Sequence, residues 1–419
     1  MVKKLLFVTT RLFWPTDSGR KVSLYYYCKG LHEKYGYDIY VYSFLEHGQT
    51  TSLLKDKPDF IKEVRIASYV GKVTKLKNLI IKSFLTMSWP LQCSLFFSKK
   101  NSGDITNYIK DIQPDIVMVD MVRLAPYYEA FKDIECLKVI DMDDLLSKRY
   151  DRQLHGNSRS SIVGQYSGSM SHFMNRFINV TIIKNMVLGF EKYLMTKAEI
   201  KFGKLYDKVI FVSQKECDEL NKSVGPKSLA VPLGIYKEGY LDCEYEISEQ
   251  NEICFLGNMA VAANADTLHM IVTQIFPHIK SDFLFTVIGK CPDEVKDVYR
   301  DCDRIRFTGR VDSVYEYAKK SNLFLAPIAY GSGIKTKILE AMAMQLPVIT
   351  NSIGAEGLDI ENGKHFIVED DYKKIAEKVD YYLNNKEDAK KIALAGQNIV
   401  FENYEWNKIW NRFEKVLTI

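Results

Sequence analysis

The sequence lacks the patterns that mark a secreted, metal-binding or membrane-spanning chain. Its eight cysteines form no CxxC pair and no metal-ligand spacing, and cysteines scattered in this way are typical of reduced core residues in a cytoplasmic protein. No apolar run approaches the length of a membrane span. The first apolar run, residues 5–8, is too short for a signal peptide and indicates a buried strand.

A strong charge of either sign is also missing. The chain carries 57 Lys and Arg residues against 53 Asp and Glu residues, a formal net charge of +4. This small excess suits anionic small molecules or a lipid headgroup surface, and it is too weak to indicate nucleic-acid binding. The sequence has no internal repeat and no low-complexity tract. With 419 residues, of which 47% are apolar, the chain is expected to form two or three soluble globular domains.

The most informative stretch is a strand–loop–helix–strand unit in the last third of the chain. Residues 323–327 form an apolar run typical of a buried parallel strand, residues 335–344 follow a helical pattern, and residues 347–350 predict a second strand. The loop before the helix contains Gly331, Ser332 and Gly333. In such a βαβ unit, the backbone amides of the loop and of the helix N-terminus face an anion.

Three charged residues accompany this loop. Lys335 and Lys337 place two cations beside it, and Glu340 lies further along the same helix. A diphosphate with a hydroxylated sugar attached would use all three, because the amides and lysines would hold the phosphates and the carboxylate would accept hydrogen bonds from ribose hydroxyls. An ordinary α/β crossover with a solvated pair of lysines explains the spacing equally well.

The first half of the chain predicts a parallel sheet of its own. Gly19 stands at a strand-to-helix turn, where a glycine lets the backbone approach a ligand closely, and Ser18 is predicted to cap the helix that begins near Lys21. Taken by itself, this glycine is better explained by structural use. Apolar runs predict its strands at residues 5–8, 39–44, 115–120, 138–144, 209–212 and 231–235.

An acidic cluster follows one of these strands. Asp141, Asp143 and Asp144 fall at its carboxyl end, where open α/β sheets bind ligands. Asp141 and Asp143 spell DxD, a pattern that holds a metal over a diphosphate in some proteins, but Asp301 and Asp303 spell it too. We therefore interpret Asp143 and Asp144 as polar groups at the mouth of a ligand site and predict no metal.

Two segments of the first half are both apolar and basic. Residues 75–100 are interrupted by Lys82 and Pro90, and a core helix followed by a loop is favoured over a membrane-surface element. Residues 151–205 are predicted to be a helical insertion, with basic residues including Arg159 and Arg176. Both segments nevertheless offer a candidate surface for anionic lipid headgroups.

The second half repeats the pattern of strands and helices. Gly257, Gly289 and Gly309 each end a predicted strand, which indicates backbone packed against a flat ligand or a tight turn. The expected domains are residues 1–235 and 236–400, followed by an amphipathic helix at 401–419 that packs back toward the first domain. The predicted fold class is α/β, with two doubly wound domains facing each other across a cleft.

The sequence resembles the retaining glycosyltransferases of family 4 (group 1), which have the GT-B fold of two Rossmann-like domains. The motif GSGIKTKILEAMAMQLPVIT is the specific part of this resemblance. Weaker pieces, such as VIFVS, FLGNM and FTGRV, occur in the family's order along nearly the whole chain. The resemblance implies catalytic roles for Asp143, Asp144 and Lys335. It implies donor binding by Gly19, Arg20, Gly257, Asn258, Gly309, Arg310, Gly331, Ser332, Gly333, Lys335, Lys337 and Glu340.

The implied reaction moves a sugar from a nucleotide-diphospho-sugar donor to a saccharide or lipid-linked acceptor, in surface polysaccharide or glycoconjugate synthesis. It retains the anomeric configuration, and it needs no metal and no further cofactor. We expect a cytoplasmic location, at the inner face of the membrane if the chain makes peripheral membrane contact, and no nucleic-acid partner. The alternatives are a nucleotide-sugar epimerase of the same fold and a non-catalytic partner subunit.

One residue departs from the family pattern. Many relatives carry two glutamates separated by seven residues, and the first of these positions is occupied here by Ser332. A subgroup with a GxGxK loop also lacks that glutamate. The departure concerns the residue that would contact the donor sugar.

Overall fold

The computed structural model describes residues 2–16, 18–155, 181–245, 250–331 and 333–418. These residues divide into two compact units. The first unit comprises residues 2–154, 181–232 and 407–418, and the second comprises residues 233–406.

The first unit is built on a seven-stranded sheet in which every neighbouring pair of strands is parallel. Its spatial order is β3-β2-β1-β4-β5-β6-β7, so the strand order reverses between β1 and β4. In doubly wound sheets, ligands bind at the carboxyl ends of the strands at this reversal, the topological switch point. The strands are β1 Lys4–Thr9, β2 Asp38–Ser43, β3 Ile61–Ile66, β4 Ile116–Asp120, β5 Leu137–Asp143, β6 Lys208–Phe211 and β7 Ser228–Ala230.

Helices lie between successive strands of the first unit along the chain. Turns of 3₁₀ helix occur at Thr51–Asp56 and Val122–Ala130, and a π-helical segment, Leu79–Leu85, continues α2. The α-helices are α1 Gly19–Glu33, α2 Lys72–Asn78, α3 Leu91–Phe96, α4 Lys99–Ile112, α5 Leu146–His155, α6 Thr181–Leu205 and α7 Gln214–Val224.

The second unit has a six-stranded parallel sheet with the order β10-β9-β8-β11-β12-β13, and its switch point lies between β8 and β11. The strands are β8 Glu252–Leu256, β9 Leu284–Ile288, β10 Ile305–Gly309, β11 Leu323–Ala326, β12 Val348–Thr350 and β13 Ile367–Val368. The α-helices are α8 Ala262–Met270, α9 Asp293–Asp297, α10 Tyr315–Ala318, α11 Thr336–Ala343, α12 Tyr372–Asn384 and α13 Lys386–Asn403. A π-helical segment at Ile271–Ile275 and 3₁₀ turns at Lys237–Tyr240 and Phe276–His278 complete the unit.

Apolar runs set both sheets. Every residue of β4 and of β11 is buried, as expected for central parallel strands covered on both faces. The fold class predicted from the sequence, α/β with two doubly wound domains, is confirmed. The predicted strand at residues 231–235 is wrong, because the last strand of the first sheet is β7 and Ile235 forms only an isolated bridge with Glu405.

Residues 407–418 return to the first unit. The chain enters it within α14 (Trp406–Asn411), and α15 (Phe413–Leu417) follows. The Trp410 indole Nε1 donates to the carbonyl of Tyr26 at 2.9 Å, and Phe413 packs against Tyr27 with ring centroids 5.2 Å apart. A methyl group at Gly30 would lie 2.3 Å from the Trp410 ring, so only glycine leaves room for this indole.

Residues 75–100 are only partly core. Ile80, Ile81, Phe84 and Leu85 are exposed, whereas Cys93 is fully buried, so the favoured interpretation as a core helix is wrong for the part of the segment before residue 88. Among the described residues, none of the helices combines the length and the apolar character needed to cross a bilayer.

Candidate functional site

The loop between β11 and α11 occupies the switch point of the second sheet. Gly331 and Gly333 have φ angles of +152° and +66°, which side chains rarely adopt, so the loop needs glycine at both positions. The Asn351 side chain holds the start of the loop, because its oxygen accepts from the Ile328 amide at 3.0 Å and its nitrogen donates to the Ile328 carbonyl at 2.9 Å. Ser332 lies outside the described residues. The glycine loop predicted from the sequence is thus a fixed turn that leads into a helix N-terminus.

Lys337, in the first turn of α11, is the centre of this site. Its ammonium donates to the Asn264 side-chain oxygen at 2.5 Å and lies 4.6 Å from the centre of the Phe255 ring. A methyl group at Gly257 would lie 3.1 Å from this ammonium and 3.0 Å from the Asn264 amide group. The structure therefore brings Gly257 and Lys337, two residues predicted from separate motifs, to one place.

Burial changes the ionisation of the two charged residues on this face of α11. It lowers the pKa of Lys337 to about 7, an effect that Glu340 counteracts and Lys335 reinforces. Burial also raises the pKa of Glu340 above its ordinary value, and Lys337 opposes that rise. Both side chains keep part of their surface accessible to solvent. A dianionic ligand here would restore full charge to Lys337.

The three strand-ending glycines of the second unit are neighbours. Gly289 pairs with Gly309 across an isolated bridge, and a methyl group at Gly289 would lie 2.4 Å from the Gly257 carbonyl oxygen. Gly289 and Gly309 also have positive φ angles, +127° and +71°. Tight turns and close backbone contacts explain these two glycines, whereas Gly257 borders the Lys337 ammonium.

The remaining donor-binding candidates of this unit have different surroundings. The Lys335 ammonium donates to the Gly333 carbonyl at 2.5 Å and so braces the loop. Asn258 accepts from the Ala260 amide at 3.0 Å through its side chain, and its carbonyl accepts from the Asn264 side chain at 2.9 Å. Arg310 is exposed at the carboxyl end of β10 and forms no ion pair with the described residues.

The switch point of the first sheet holds a second cluster of charges. Arg20, in the first turn of α1, places its Nη2 atom 2.6 Å from Asp120 and 2.9 Å from Asp141, and its Nη1 atom 3.1 Å from Asp143. Thr10 donates to Asp120 from its amide at 3.1 Å and from its hydroxyl at 2.5 Å. The sequence predicts Arg20 as a donor ligand, whereas its guanidinium binds three carboxylates of its own unit.

The three carboxylates of this cluster differ in exposure and in charge. The Asp120 and Asp141 side chains are fully buried, whereas the Asp143 side chain is 21% exposed. Burial raises the pKa of Asp141 to about 6 and raises that of Asp143, in both cases against the effect of Arg20. Burial also acts to raise the pKa of Asp120. Arg20, Arg11 and the Thr10 hydrogen bond outweigh it and lower this pKa below the ordinary value.

Asp143 and Asp144 have different environments although they are adjacent. Asp143 has a φ of +66°, and its amide donates to Asp141 at 3.0 Å. A non-glycine residue in this conformation is uncommon and is often found at functional sites. Asp144 is buried and ion-pairs with Arg149. Asp143 is therefore the better placed of the two to meet a ligand.

Other parts of the first site differ from expectation. Gly19 is the first residue of α1, so the helix begins two residues before the predicted start at Lys21. Ser18 is at the predicted N-cap position, but its hydroxyl forms no capping hydrogen bond. The position of the cap is therefore correct, and the predicted side-chain hydrogen bond is wrong. Arg159 and Arg176 of the basic insertion lie outside the described residues.

Asn264 and Asp120 are the site residues that sequence reasoning missed. Asn264 lies on α8, in the first turns after the β8 strand and its Gly257 ending, a place where polar residues face a ligand in α/β folds. Asp120 ends the predicted strand β4, as Asp143 ends β5. A polar residue at the end of each central strand was the signal that would have found Asp120.

The two doubly wound parallel sheets are the architecture of the GT-B class, and a glycine loop, two lysines and a glutamate lie at the switch point of the second sheet. Residues 250–385 match the model of the family Glycosyl transferases group 1. This match agrees with the group 1 glycosyltransferase resemblance found in the sequence, and all the matched residues belong to the second unit.

Relatives and solved structures are similar over larger parts of the chain. An uncharacterized 44.6 kDa protein in the cps region of Klebsiella pneumoniae is 22% identical over 56% of this chain, a match that spans 62% of that protein. The O-antigen biosynthesis glycosyltransferase WbnH of Escherichia coli is 20% identical over 75% of this chain and 88% of its own length. The crystal structure of Anabaena HepE in complex with UDP and glucose covers 99% of each chain, with 12% identity and a TM-score of 0.65. That likeness shows the fold, in agreement with the predicted GT-B architecture.

Proposed function

We propose that this protein is a glycosyltransferase that moves a sugar from a nucleotide-diphospho-sugar to a saccharide or lipid-linked acceptor in surface polysaccharide or glycoconjugate synthesis. The observation that carries the proposal is the position of the Lys337 ammonium. It lies at the switch point of the second sheet, beside Gly257 and in the first turn of α11. Anions bind at such a place because helix N-termini present free amides and a positive partial charge.

The donor site follows from the chemistry of three residues. Lys337, whose pKa is about 7, takes up a proton when a diphosphate binds, and its charge then opposes the charge that develops on the leaving diphosphate. Lys335 adds a second cation and braces the loop through the Gly333 carbonyl. We assign the ribose to Glu340, three residues along the helix from Lys337, because a carboxylate accepts hydrogen bonds from hydroxyl groups.

The first unit supplies the acceptor side of the proposal. Asp143 would bind an acceptor hydroxyl, because it is the most exposed carboxylate of the Arg20 cluster and its backbone is held in an uncommon conformation. Asp141 and Asp143 both pair with Arg20, so the guanidinium occupies the place that a metal over a DxD motif would need. We therefore propose metal-independent transfer, with retention of anomeric configuration as in the enzymes the sequence resembles.

The relatives support the class of reaction and of donor. WbnH is named as a glycosyltransferase of O-antigen biosynthesis, and HepE was solved with UDP and glucose. We propose a uridine or related nucleoside diphosphate as the leaving group, and a cytoplasmic site of action.

The test begins with binding. Nucleoside diphosphates are screened for thermal stabilisation, because a ligand at a hundred times its Kd adds about 2.7 kcal/mol to the stability of the folded state. We expect stabilisation by at least one of them, and its loss in Lys337→Ala. The exposed Lys390→Ala is the matched control and should behave like the wild type. If no nucleoside diphosphate stabilises the protein, the proposed donor site is wrong.

Turnover then separates the proposal from its alternatives. The protein is incubated with the matching nucleotide-sugar, with and without saccharide acceptors, and the released nucleoside diphosphate is measured. A transferase releases diphosphate faster when an acceptor is present, whereas an epimerase converts the donor without any acceptor. Tight binding of donor with no release in any mixture would identify a non-catalytic subunit and contradict the proposal.

A further inference from the structure

The outer face of a helical segment in the first unit is apolar. The helix α2 continues without interruption into the π-helical residues Leu79–Leu85, and exposed positions recur about every four residues along it. On a surface helix of a soluble protein, such positions are ordinarily polar. Here six of them are apolar, with exposed fractions from 37% to 82%, namely Val73, Leu76, Ile80, Ile81, Phe84 and Leu85.

The inner face of this segment is polar. The Asn78 side chain donates to the carbonyls of Ser94 at 3.1 Å and Phe97 at 2.8 Å, and the Ser83 hydroxyl lies 2.8 Å from that of Ser94. Ser83 is fully buried. Hydrogen bonds to α3 and its end thus fix the segment in an orientation opposite to that of an ordinary amphipathic helix, with its apolar side chains outward.

Neighbouring residues enlarge the exposed apolar area. Eight of the twenty large hydrophobic residues that are exposed in the described part of the chain fall within residues 69–87. Phe84 stacks on Phe190 of α6, with ring centroids 5.4 Å apart and an interplanar angle of 5°. Met186 and Tyr193 of the same helix are 70% and 52% exposed. Clusters of this kind on a monomer mark a site of interaction.

The charged side chains of this stretch of sequence are all basic. No Asp or Glu occurs between residues 64 and 103, whereas six lysines do, and none of them forms an ion pair with the described residues. Lys75 and Lys82 lie over aromatic rings instead, 4.9 Å from the Tyr69 centroid and 5.1 Å from the Trp89 centroid. The six lysines are Lys72, Lys75, Lys77, Lys82, Lys99 and Lys100.

We infer that residues 69–87, together with the exposed side chains of α6, form a surface that docks on a lipid bilayer containing anionic headgroups. The apolar side chains enter the boundary between headgroups and acyl chains, and the lysines pair with lipid phosphates. A protein partner fits less well, because lysine is depleted in protein–protein interfaces. The inference is independent of the proposed transferase activity.

The test is co-sedimentation with vesicles. The full chain is mixed at low salt with vesicles of phosphatidylcholine alone, or of equal parts phosphatidylcholine and phosphatidylglycerol. We expect sedimentation with the anionic vesicles only, and release by added salt, because salt screens exposed charges. The double variant Lys72→Gln, Lys77→Gln should partition about thirty-fold less, given about a fivefold loss for each lysine.

Apolar variants test the inserted face. Leu76→Glu combined with Leu85→Glu should abolish sedimentation, whereas Val298→Glu, a substitution of a 66% exposed residue in the second unit, should leave it unchanged. Thermal unfolding of each variant establishes that it is folded. The inference is overturned if the wild type stays in the supernatant, or if the double glutamate variant sediments like the wild type. It is also overturned if that variant instead converts a dimer to a monomer, because the surface would then cover a second copy of the chain.

Discussion

The Lys337 ammonium and the Asn264 side-chain oxygen lie 2.5 Å apart, although 73 positions separate the two residues in the sequence. The contact exists because β8 and β11 are neighbours in the sheet, so the helices that follow them meet at the switch point. Phe255 and Gly257 complete the surroundings of the ammonium. Asn264 is thus a positioning residue for the lysine to which we assign the diphosphate.

Asn264→Ala should weaken UDP binding about tenfold, because a hydrogen bond to a charged group contributes about 1.5–3 kcal/mol. Calorimetric titration with UDP measures this change. The exposed Gln274→Ala, on the π-helical segment that follows α8, is the control and should bind UDP as the wild type does. Loss of thermal stability in Asn264→Ala without any change in UDP affinity would show that the amide only holds the fold.

UDP affinity should fall as the pH rises above 7. Burial lowers the pKa of Lys337 to about 7, so the ammonium is protonated below that pH and must take up a proton on binding above it. One coupled proton predicts a decrease of about tenfold in affinity for each pH unit above 7, and a constant affinity just below it. Titrations across this range measure the slope.

The Lys337→Arg variant is the control for this pH dependence. Arginine stays charged at every pH in question, so its binding should be independent of pH even if it is weaker. A wild-type slope that persists in Lys337→Arg would assign the titration to another group. Asn264→Ala should move the wild-type midpoint to lower pH, because it removes an acceptor that stabilises the ammonium.

The site was predictable to the extent that it depends on local pattern. The apolar run 323–327 predicts the buried strand β11, and the glycines at 331 and 333 predict the turn after it. Both predictions are correct because local sequence determines these features. The contact of Lys337 with Asn264 depends on the order β8-β11, which no local pattern contains. The sequence predicts Arg20 as a donor-binding residue, and no local pattern reveals its three carboxylate partners, because they lie on strands 100 or more residues away.

The missed strand β3 has a similar cause. Its residues, Ile61–Ile66, are IKEVRI, and most of them are partly or fully exposed because β3 is at the edge of the sheet. The edge position leaves it with few apolar residues, so its sequence resembles a loop. The apolar run around Phe84 misled in the opposite direction, since apolar side chains there face outward and the pattern alone favours a core.

Glu340→Gln should lower the affinity for UDP more than it changes the affinity for inorganic pyrophosphate, which senses Glu340 only through the pKa of Lys337. The carboxylate is assigned to the ribose, whose hydroxyls donate to it more strongly than to a neutral amide. Competition by UDP and by pyrophosphate against the same bound nucleotide separates the two parts of the ligand. An equal loss of affinity for both ligands would show that Glu340 acts on the phosphates through Lys337. An unfolded variant would show that Glu340 is a structural residue.

Asp143→Asn should lower kcat by about a hundredfold or more and leave UDP binding intact, as expected when a positioned acid or base is lost. Steady-state kinetics with donor and acceptor give kcat, and titration gives the binding. Asp144→Asn is the matched variant, because Asp144 is buried and pairs with Arg149. Asp144→Asn should lower the thermal midpoint, and the molecules that remain folded should keep the wild-type kcat. A large loss of kcat in Asp144→Asn and none in Asp143→Asn would assign the catalytic role to Asp144.

Turnover should survive EDTA. Asp141 and Asp143 are both bound by Arg20, so the DxD carboxylates have a permanent cationic partner. Initial rates of diphosphate release are compared before and after chelation and after addition of Mg²⁺ or Mn²⁺. Activity that disappears with EDTA and returns with either ion would mean that these aspartates exchange Arg20 for a metal.

The packing of Trp410 over Gly30 has a consequence for the order in which the chain acquires its structure. During synthesis on the ribosome, α1 emerges about 380 residues before the indole that covers it, a spacing that the hydrogen bond between Trp410 and Tyr26 spans. Residues 233–406, which make up the second unit, leave the ribosome in the meantime and contain all of their own sheet. The apolar surface of α1 that Trp410 and Phe413 cover therefore stays exposed in the nascent first unit until translation reaches residues 407–418. Apolar surface exposed in this way makes a folding intermediate prone to aggregation.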